Sequence, residues 1–326
     1  MNRNKLFKAA IGGLTLVVGL ALLTPFPAGA KETMKVAWFL DPTYEVLVYG
    51  IRKGKVTSET IDIKLFPLDI SALMQATGTK EFDLVETSVV GVPQARDRGL
   101  HLLMVGAGIK PKGGRFIFAK SDSALRSLAD LKERTFGVSS LASTAMVQVR
   151  MVLKKVYGFN VTLEKGDIKW VEAPLPTLPV LVQRGSLDAA YIIHTPAFKA
   201  LESKEFKVIG DIVKDYLAAF ETYPIASVLV TYPDKVREKP AAIRELIRVF
   251  RASLKYARDN AKEVYEAVAK EHRLDAKNLA TQWESWYDFT ATLEEEDQKS
   301  LTQQWEGAKE MGMLKAVPDI KEMVWR

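Results

Sequence analysis

The stretch "RTFGVSSLASTAMVQVRMVLKKVYG", Arg134–Gly158, decides how this chain is read. It begins as a short apolar strand, offers Ser139, Ser140, Ser143 and Thr144, and continues with helical spacing to a glycine. Hydroxyls at a strand-to-helix handover have three readings: a nucleophile, a ligand cradle, or ordinary helix caps. "GVSSL" follows G-x-S-x-G for three letters, then places Leu141 where the last glycine would permit a strained elbow. A catalytic serine also needs a base. His194 follows in chain order, but no acid partner is marked for it. The cradle reading fits better. A helix N-terminus has unpaired N–H groups and a partial positive charge, and small hydroxyls leave room there for a carboxylate, sulfonate or phosphate.

Outward from this stretch, apolar runs of strand length recur. They include "MKVAWFL" (Met34–Leu40), "IDIKLFPL" (Ile61–Leu68), "FDLVET", "HLLMVGAGI" and "RFIFAKSDS" (Arg115–Ser123). "DIKWVEAP", "LDAAYIIHTP" and "FKVIGDIVKDY" follow, the last read as a strand with its exit. Helical patterns separate most of them. One-for-one alternation predicts βαβ units, a parallel sheet and an α/β class. From Pro240 the texture turns helical, with Ile243, Leu246, Ile247, Phe250, Leu254 and Ala257 at three- and four-residue spacing. "LEEEDQK" reads as a solvated helix start, and Trp283, Trp286, Trp305 and Trp325 as core.

The ends and totals set bounds. "MNRNKLFK", then "AAIGGLTLVVGLALL", then a small-x-small site at Ala28-Gly29-Ala30, predicts a signal peptide over residues 1–30 and export to the periplasm. The 326 residues suit one large domain or two lobes, at ~100–200 residues per domain. The formal charge is +6, with Arg3, Lys5 and Lys8 in the leader, and no basic run argues for nucleic acid. Cysteine is absent, which excludes thiol catalysis and thiolate metal sites. The three histidines, His101, His194 and His272, are scattered, so no metal site is expected. No G-x-G-x-x-G follows the first strand and no Walker A sequence occurs, so no cofactor is expected.

Ligands of open parallel sheets sit at the carboxyl ends of the strands. Collecting the exits gives "LDPTY" with Asp41 and Tyr44, "ETS" with Glu86, Thr87 and Ser88, "SSLAST", and "HTP" with His194 and Thr195. Each alone is ordinary cap or turn chemistry. The recurrence of four polar exits between apolar strands is what singles them out.

At this point the sequence resembles the substrate-binding proteins of nitrate/sulfonate/taurine-type ABC transporters. "FDLVETSVVGVPQARDRGLHLLMVGA", "SLADLKERTFGVSSLASTAMVQVRMVLKKVYGF", "LPVLVQRGSLDAAYIIHTPA" and "ASVLVTYPDKVREKPAAIRELIRVFRASLKYARDNAKEV" resemble successive blocks of that family in order and spacing. The resemblance implies a type II periplasmic binding-protein fold with ligand in the cleft between two α/β lobes. One lobe would hold residues 31–112 and 224–326, the other residues 113–223. Ser139, Ser140, Ser143 and Thr144 match the family's small polar position in the second lobe, and Thr87 and Ser88 the one in the first. The implied role is capture without chemistry: a monomer, not an enzyme, that delivers a sulfonate, carboxylate or nitrogen-containing organic compound to a membrane permease. An enzyme on the same fold (pyrimidine-precursor synthase-like or a serine hydrolase) and a sensory binding protein are the alternatives. Glu86 departs from the pattern, which often has a small neutral residue there. Facing the cleft, it would repel a bare anion such as nitrate and favour a ligand with a donor or cationic group. Facing a core or paired with an arginine, it would not. Asp41 poses the same question. Trp38, Phe39, Tyr44 and Tyr191 are candidate apolar walls, although Trp38 and Phe39 point to opposite faces of one strand.

Overall fold

A computed structural model describes residues 31–325; the expected signal peptide, residues 1–30, lies outside the described residues. Along the chain come β1 (Glu32–Phe39), α1 (Pro42–Arg52), β2 (Ile61–Leu68), α2 (Ile70–Thr79), β3 (Leu84–Ser88), α3 (Gly91–Asp97) and β4 (Leu103–Ala107). A short β5 (Ile109–Pro111) leads into β6 (Phe116–Lys120), β7 (Thr135–Val138), α4 (Thr144–Tyr157), β8 (Lys169–Glu172) and α5 (Leu178–Gln183). Then follow β9 (Ala189–Ile192), α6 (His194–Glu202), β10 (Phe206–Asp211) and α7 (Ile212–Phe220). The chain returns through β11 (Ser227–Thr231) to α8 (Pro233–Glu238), α9 (Pro240–Asp259), α10 (Ala261–His272), α11 (Ala276–Thr281), β12 (Tyr287–Phe289) and α12 (Glu295–Glu310).

Two five-stranded sheets result, in the orders β2-β1-β3-β11-β4 and β10-β6-β9-β7-β8. The α/β class holds, but the expected parallel sheet is corrected to two mixed ones. β1 runs parallel to β2 and β3, whereas β11 is antiparallel to both β3 and β4. In the second sheet β7 is parallel to β8 and β9, whereas β6 is antiparallel to β9 and β10. Alternation of strands and helices specifies local elements. Strand direction is set by the chain passing out of the first sheet and back into it, which hydrophobic spacing does not record. "FKVIGDIVKDY" also needs correction: its second half is the start of α7, with Asp211 accepting from the N–H groups of Val213 and Lys214.

Each helix end has a local cause. Ser143 caps α4 by accepting from the Met146 N–H at 3.2 Å, and Gly158 closes it at φ +69°. The apolar stripe of α9 is buried as its spacing requires. Trp283, Trp286 and Trp305 are core, and Trp305 Nε1 donates to the Val89 carbonyl at 3.0 Å. Asp297, inside the run expected to be solvated, is instead buried and paired with Lys110 at 3.1 Å.

Two backbone segments join the sheets, and they bond to each other. Gly108 N–H donates to Ser227 O and Ala226 N–H to Ile109 O, both at 2.9 Å, while β12 pairs antiparallel with β5. Gly114 completes one crossing at φ +68°, and a Cβ there would lie 2.2 Å from the Trp286 ring. Left-handed backbone costs a substituted alanine about 1–2 kcal/mol and overpacking about 1–3 kcal/mol. Gly114→Ala is therefore expected to destabilise by about 2–4 kcal/mol in urea unfolding. An unchanged midpoint would mean that Trp286 is not a fixed wall.

Candidate functional site

Strand exits from both sheets enclose a cavity of about 90 Å³. β1 brings Phe39 to it, and the helix that follows brings Tyr44. β3 contributes Glu86, Thr87 and Ser88. The exit of β7 gives Ser139, Ser143 and Thr144, and the exit of β9 gives Ile193 and His194. Ile70, Leu73 and Met74 of α2 and Ala145 of α4 make an apolar wall. The two sides touch directly above it. Thr144 Oγ1 accepts from the Val89 N–H at 2.7 Å and donates to Ser88 Oγ at 3.1 Å.

Eight of the residues singled out from sequence thus line one cavity: Tyr44, Glu86, Thr87, Ser88, Ser139, Ser143, Thr144 and His194. Asp41, Ser140 and Thr195 do not. Asp41 is buried and caps α1, accepting from Thr43 N at 3.0 Å and Thr43 Oγ1 at 2.7 Å. Ser140 Oγ accepts from the Ala142 N–H at 3.3 Å. The Thr195 N–H lies 3.5 Å from Asp41 Oδ2. Among the described residues no hydrogen bond joins His194 to any of these serines; Ser143 Oγ is bonded to backbone instead. A Ser–His pair is therefore absent from this geometry. Of the aromatic residues, Phe39 and Tyr44 face the cavity. Trp38 faces the opposite side of β1, and Tyr191 lies behind the cavity wall, bonded to Arg115.

Arg115 and Ser227 also line the cavity and were not marked by the sequence. Arg115 opens "RFIFAK", and an arginine at the mouth of an otherwise apolar strand is the only signal it carried. The residue is 3% exposed. Nη1 reaches Tyr191 Oη at 3.4 Å and Nε has no partner. No carboxylate lies within the 4.0 Å of an ion pair among the described residues. Guanidinium stays charged in proteins, so this is a buried cation without a counter-ion, facing open space.

The acid on the same cavity is Glu86. Its Oε1 accepts from Tyr44 Oη at 2.6 Å and its Oε2 from the Phe39 N–H at 3.1 Å. Burial pushes its proton affinity above the ordinary carboxylate range, and the Ser227 and Tyr44 hydroxyls oppose that rise. Burial likewise raises Asp41. Burial, then the charge of Arg115, holds His194 well below the usual imidazole range, so it is neutral at physiological pH. His194 sits at φ +57° among the rings of Phe39, Tyr44 and Tyr287, at centroid distances of 5.0, 6.0 and 5.2 Å. Left-handed backbone at a non-glycine is strain of the kind that collects at functional sites. The site therefore offers a fixed cation, a protonatable acid and a neutral imidazole in a largely apolar chamber. No group of three or more metal-ligating residues occurs among the described residues.

Two sheets joined by paired crossings, with a chamber between their strand exits, define the periplasmic binding-protein fold. The chain belongs to the menaquinone biosynthesis family, which matches residues 34–310. Solved structures with the same fold include protein AF1704 from Archaeoglobus fulgidus, with a TM-score of 0.71 at 20% identity over 86% of this chain and 98% of that one. The aliphatic sulphonate binding protein SsuA from Escherichia coli has a TM-score of 0.71 at 17% identity, over 91% and 98%. The alkanesulfonate-binding protein SsuA from Xanthomonas axonopodis pv. citri, bound to MOPS, has a TM-score of 0.71 at 16% identity, over 91% and 100%. No curated protein matches the chain. Family membership overturns the expectation that the protein is not an enzyme, because menaquinone biosynthesis is a synthetic process and points to catalysis.

Proposed function

We propose that the chain is an enzyme acting on a small organic carboxylate, held by Arg115 and exchanging a proton with Glu86. The observation that carries this reading is the buried guanidinium with an unpartnered Nε on the same cavity as a buried, hydrogen-bonded acid. A buried cation without a partner is costly, and an anionic ligand removes that cost on binding. A carboxylate suits the planar fork of arginine. A carboxyl group with raised proton affinity is suited to general acid–base work near neutral pH. His194, neutral and beside the same space, accepts hydrogen bonds from a ligand hydroxyl. Residues 31–112 with 224–326, and residues 113–223, form two lobes that open to admit the ligand. The Thr144 contacts to Ser88 and Val89 are made on closing.

A second reading, delivery of the bound anion to a membrane permease after export, is supported by the fold shared with sulfonate-binding proteins. One experiment separates the two. The chain from residue 31 onward is incubated with a panel of aromatic and aliphatic carboxylates and alkanesulfonates, and products are followed by mass spectrometry. Conversion of a carboxylate that is lost in Glu86→Gln supports the enzyme. One-to-one binding with no conversion across a panel that includes a tight binder contradicts it and favours delivery.

A further inference from the structure

We propose that Asp41 is a positioning residue: reaching from the exit of β1 to the start of α6, it fixes the backbone that carries His194 over the chamber. The use of His194 toward a ligand rests on the proposed function, whereas the contact itself is independent of it.

His194 has no hydrogen bond to orient its Nδ1, which is buried without a partner among the described residues. Its ring is held by packing against Phe39, Tyr44 and Tyr287, and by its own backbone. That backbone is left-handed at φ +57° and opens the nine-residue helix α6. Left-handed geometry at a non-glycine residue costs about 1–2 kcal/mol and persists only where its surroundings hold it. The start of α6 supplies little hold of its own. Ile193, at its N-cap, has no side-chain acceptor, and Pro196 has no N–H to anchor. The Thr195 N–H donates instead to Asp41 Oδ2, at 3.5 Å.

Asp41 thus serves two helices with its two oxygens. Oδ1 accepts from the Thr43 N–H at 3.0 Å and from Thr43 Oγ1 at 2.7 Å, which caps α1. Oδ2 faces the start of α6. Burial raises the proton affinity of Asp41, and the contacts from Thr43 and then Thr195 oppose that rise. Two helix N-termini, each with its partial positive charge, further favour a carboxylate between them. β1 belongs to the first sheet, and β9, which leads into α6, belongs to the second. The tie therefore crosses from one sheet to the other and forms only at the spacing seen here. His194 is anchored when the chamber is shut and released when the sheets part.

The test uses neither ligand nor turnover, so its failure is separate from any failure of the proposed reaction. Asp41→Asn divides the two contacts. Asparagine is as good an N-cap as aspartate, keeps its one oxygen on the Thr43 donors, and turns its amide N–H groups toward the Thr195 N–H. Asp41→Ser does the same with a single oxygen on a shorter arm. Amide hydrogen exchange is followed at Thr43 and Thr195. The imidazole Cε1–H signal of His194, assigned by its loss in His194→Gln, is recorded beside those of His101 and His272. In both variants the protection of the Thr195 amide is expected to fall about tenfold, the weight of one ordinary hydrogen bond, with that of Thr43 retained. The His194 signal is expected to move while those of His101 and His272 stay in place. An unmoved His194 signal, or unchanged Thr195 protection, in either folded variant overturns the inference. Equal losses at Thr43 and Thr195 with a fall in melting temperature overturn it too, because Asp41 is then only the cap of α1.

Discussion

Replacing Arg115 with methionine is expected to weaken binding of any carboxylate the wild type holds by about 100-fold or more. The same change is expected to leave the melting temperature unchanged or higher. The two expectations have one cause. Arg115 is buried, the only hydrogen bond of its guanidinium among the described residues is a long one to Tyr191, and it lacks an ion pair. Removing it from the free protein therefore breaks little and removes a desolvated charge. Removing it from the complex leaves the ligand carboxylate in an apolar chamber without its counter-ion. Titration calorimetry and differential scanning calorimetry measure the two halves separately. Equal affinity in the variant would show that the anion sits elsewhere, and a large fall in melting temperature would show that the guanidinium is structural.

Glu86→Gln is expected to lower turnover by about 10²–10⁴-fold while stabilising the fold at neutral pH. Glutamine keeps an oxygen for the Tyr44 Oη or Phe39 N–H and cannot ionise. The sign of the pH dependence follows from burial, which raises the proton affinity of Glu86 in the folded state above the ordinary value of about 4.3. The folded protein then holds this proton more tightly than the unfolded chain. Its contribution to stability is fully present below the ordinary value and is lost as pH rises through the raised folded one. The gain in melting temperature from Glu86→Gln should accordingly be larger at pH 8 than at pH 5. A gain that is flat across this interval would mean that the carboxylate is comfortably ionised in the fold. A loss at both pH values would mean that its hydrogen bonds outweigh its charge.

The strand exits were legible because two patterns coincide at each of them. Apolar runs mark the strands, and short polar clusters mark their carboxyl ends, so the sequence alone groups Tyr44, Glu86, Ser88, Ser143 and His194. Ser143 is a cap as well as a lining residue. Arg115 escaped because it stands just before a strand instead of just after one. It reaches the chamber only because β6 is antiparallel to β9, and sequence spacing is silent on direction. Ser227 escaped for the same reason, since β11 returns antiparallel to β3. The residues that pair across the crossings, Gly108 with Ser227 and Ile109 with Ala226, are separated by more of the chain than any periodicity connects. The expectation of a protein without chemistry rests on absent catalytic motifs, whereas the family match points to catalysis, and a guanidinium and an acid lining one cavity leave no mark in motif spacing.

The central claim is that Arg115 receives an organic carboxylate opposite Glu86. A crystal structure with a carboxylate that raises the melting temperature tests it most directly. Both carboxylate oxygens are expected within hydrogen-bond distance of the Arg115 guanidinium, with the ligand body against Ile70, Leu73 and Met74. A carboxylate bound with Arg115 untouched, or a ligand bound outside this chamber, would contradict it.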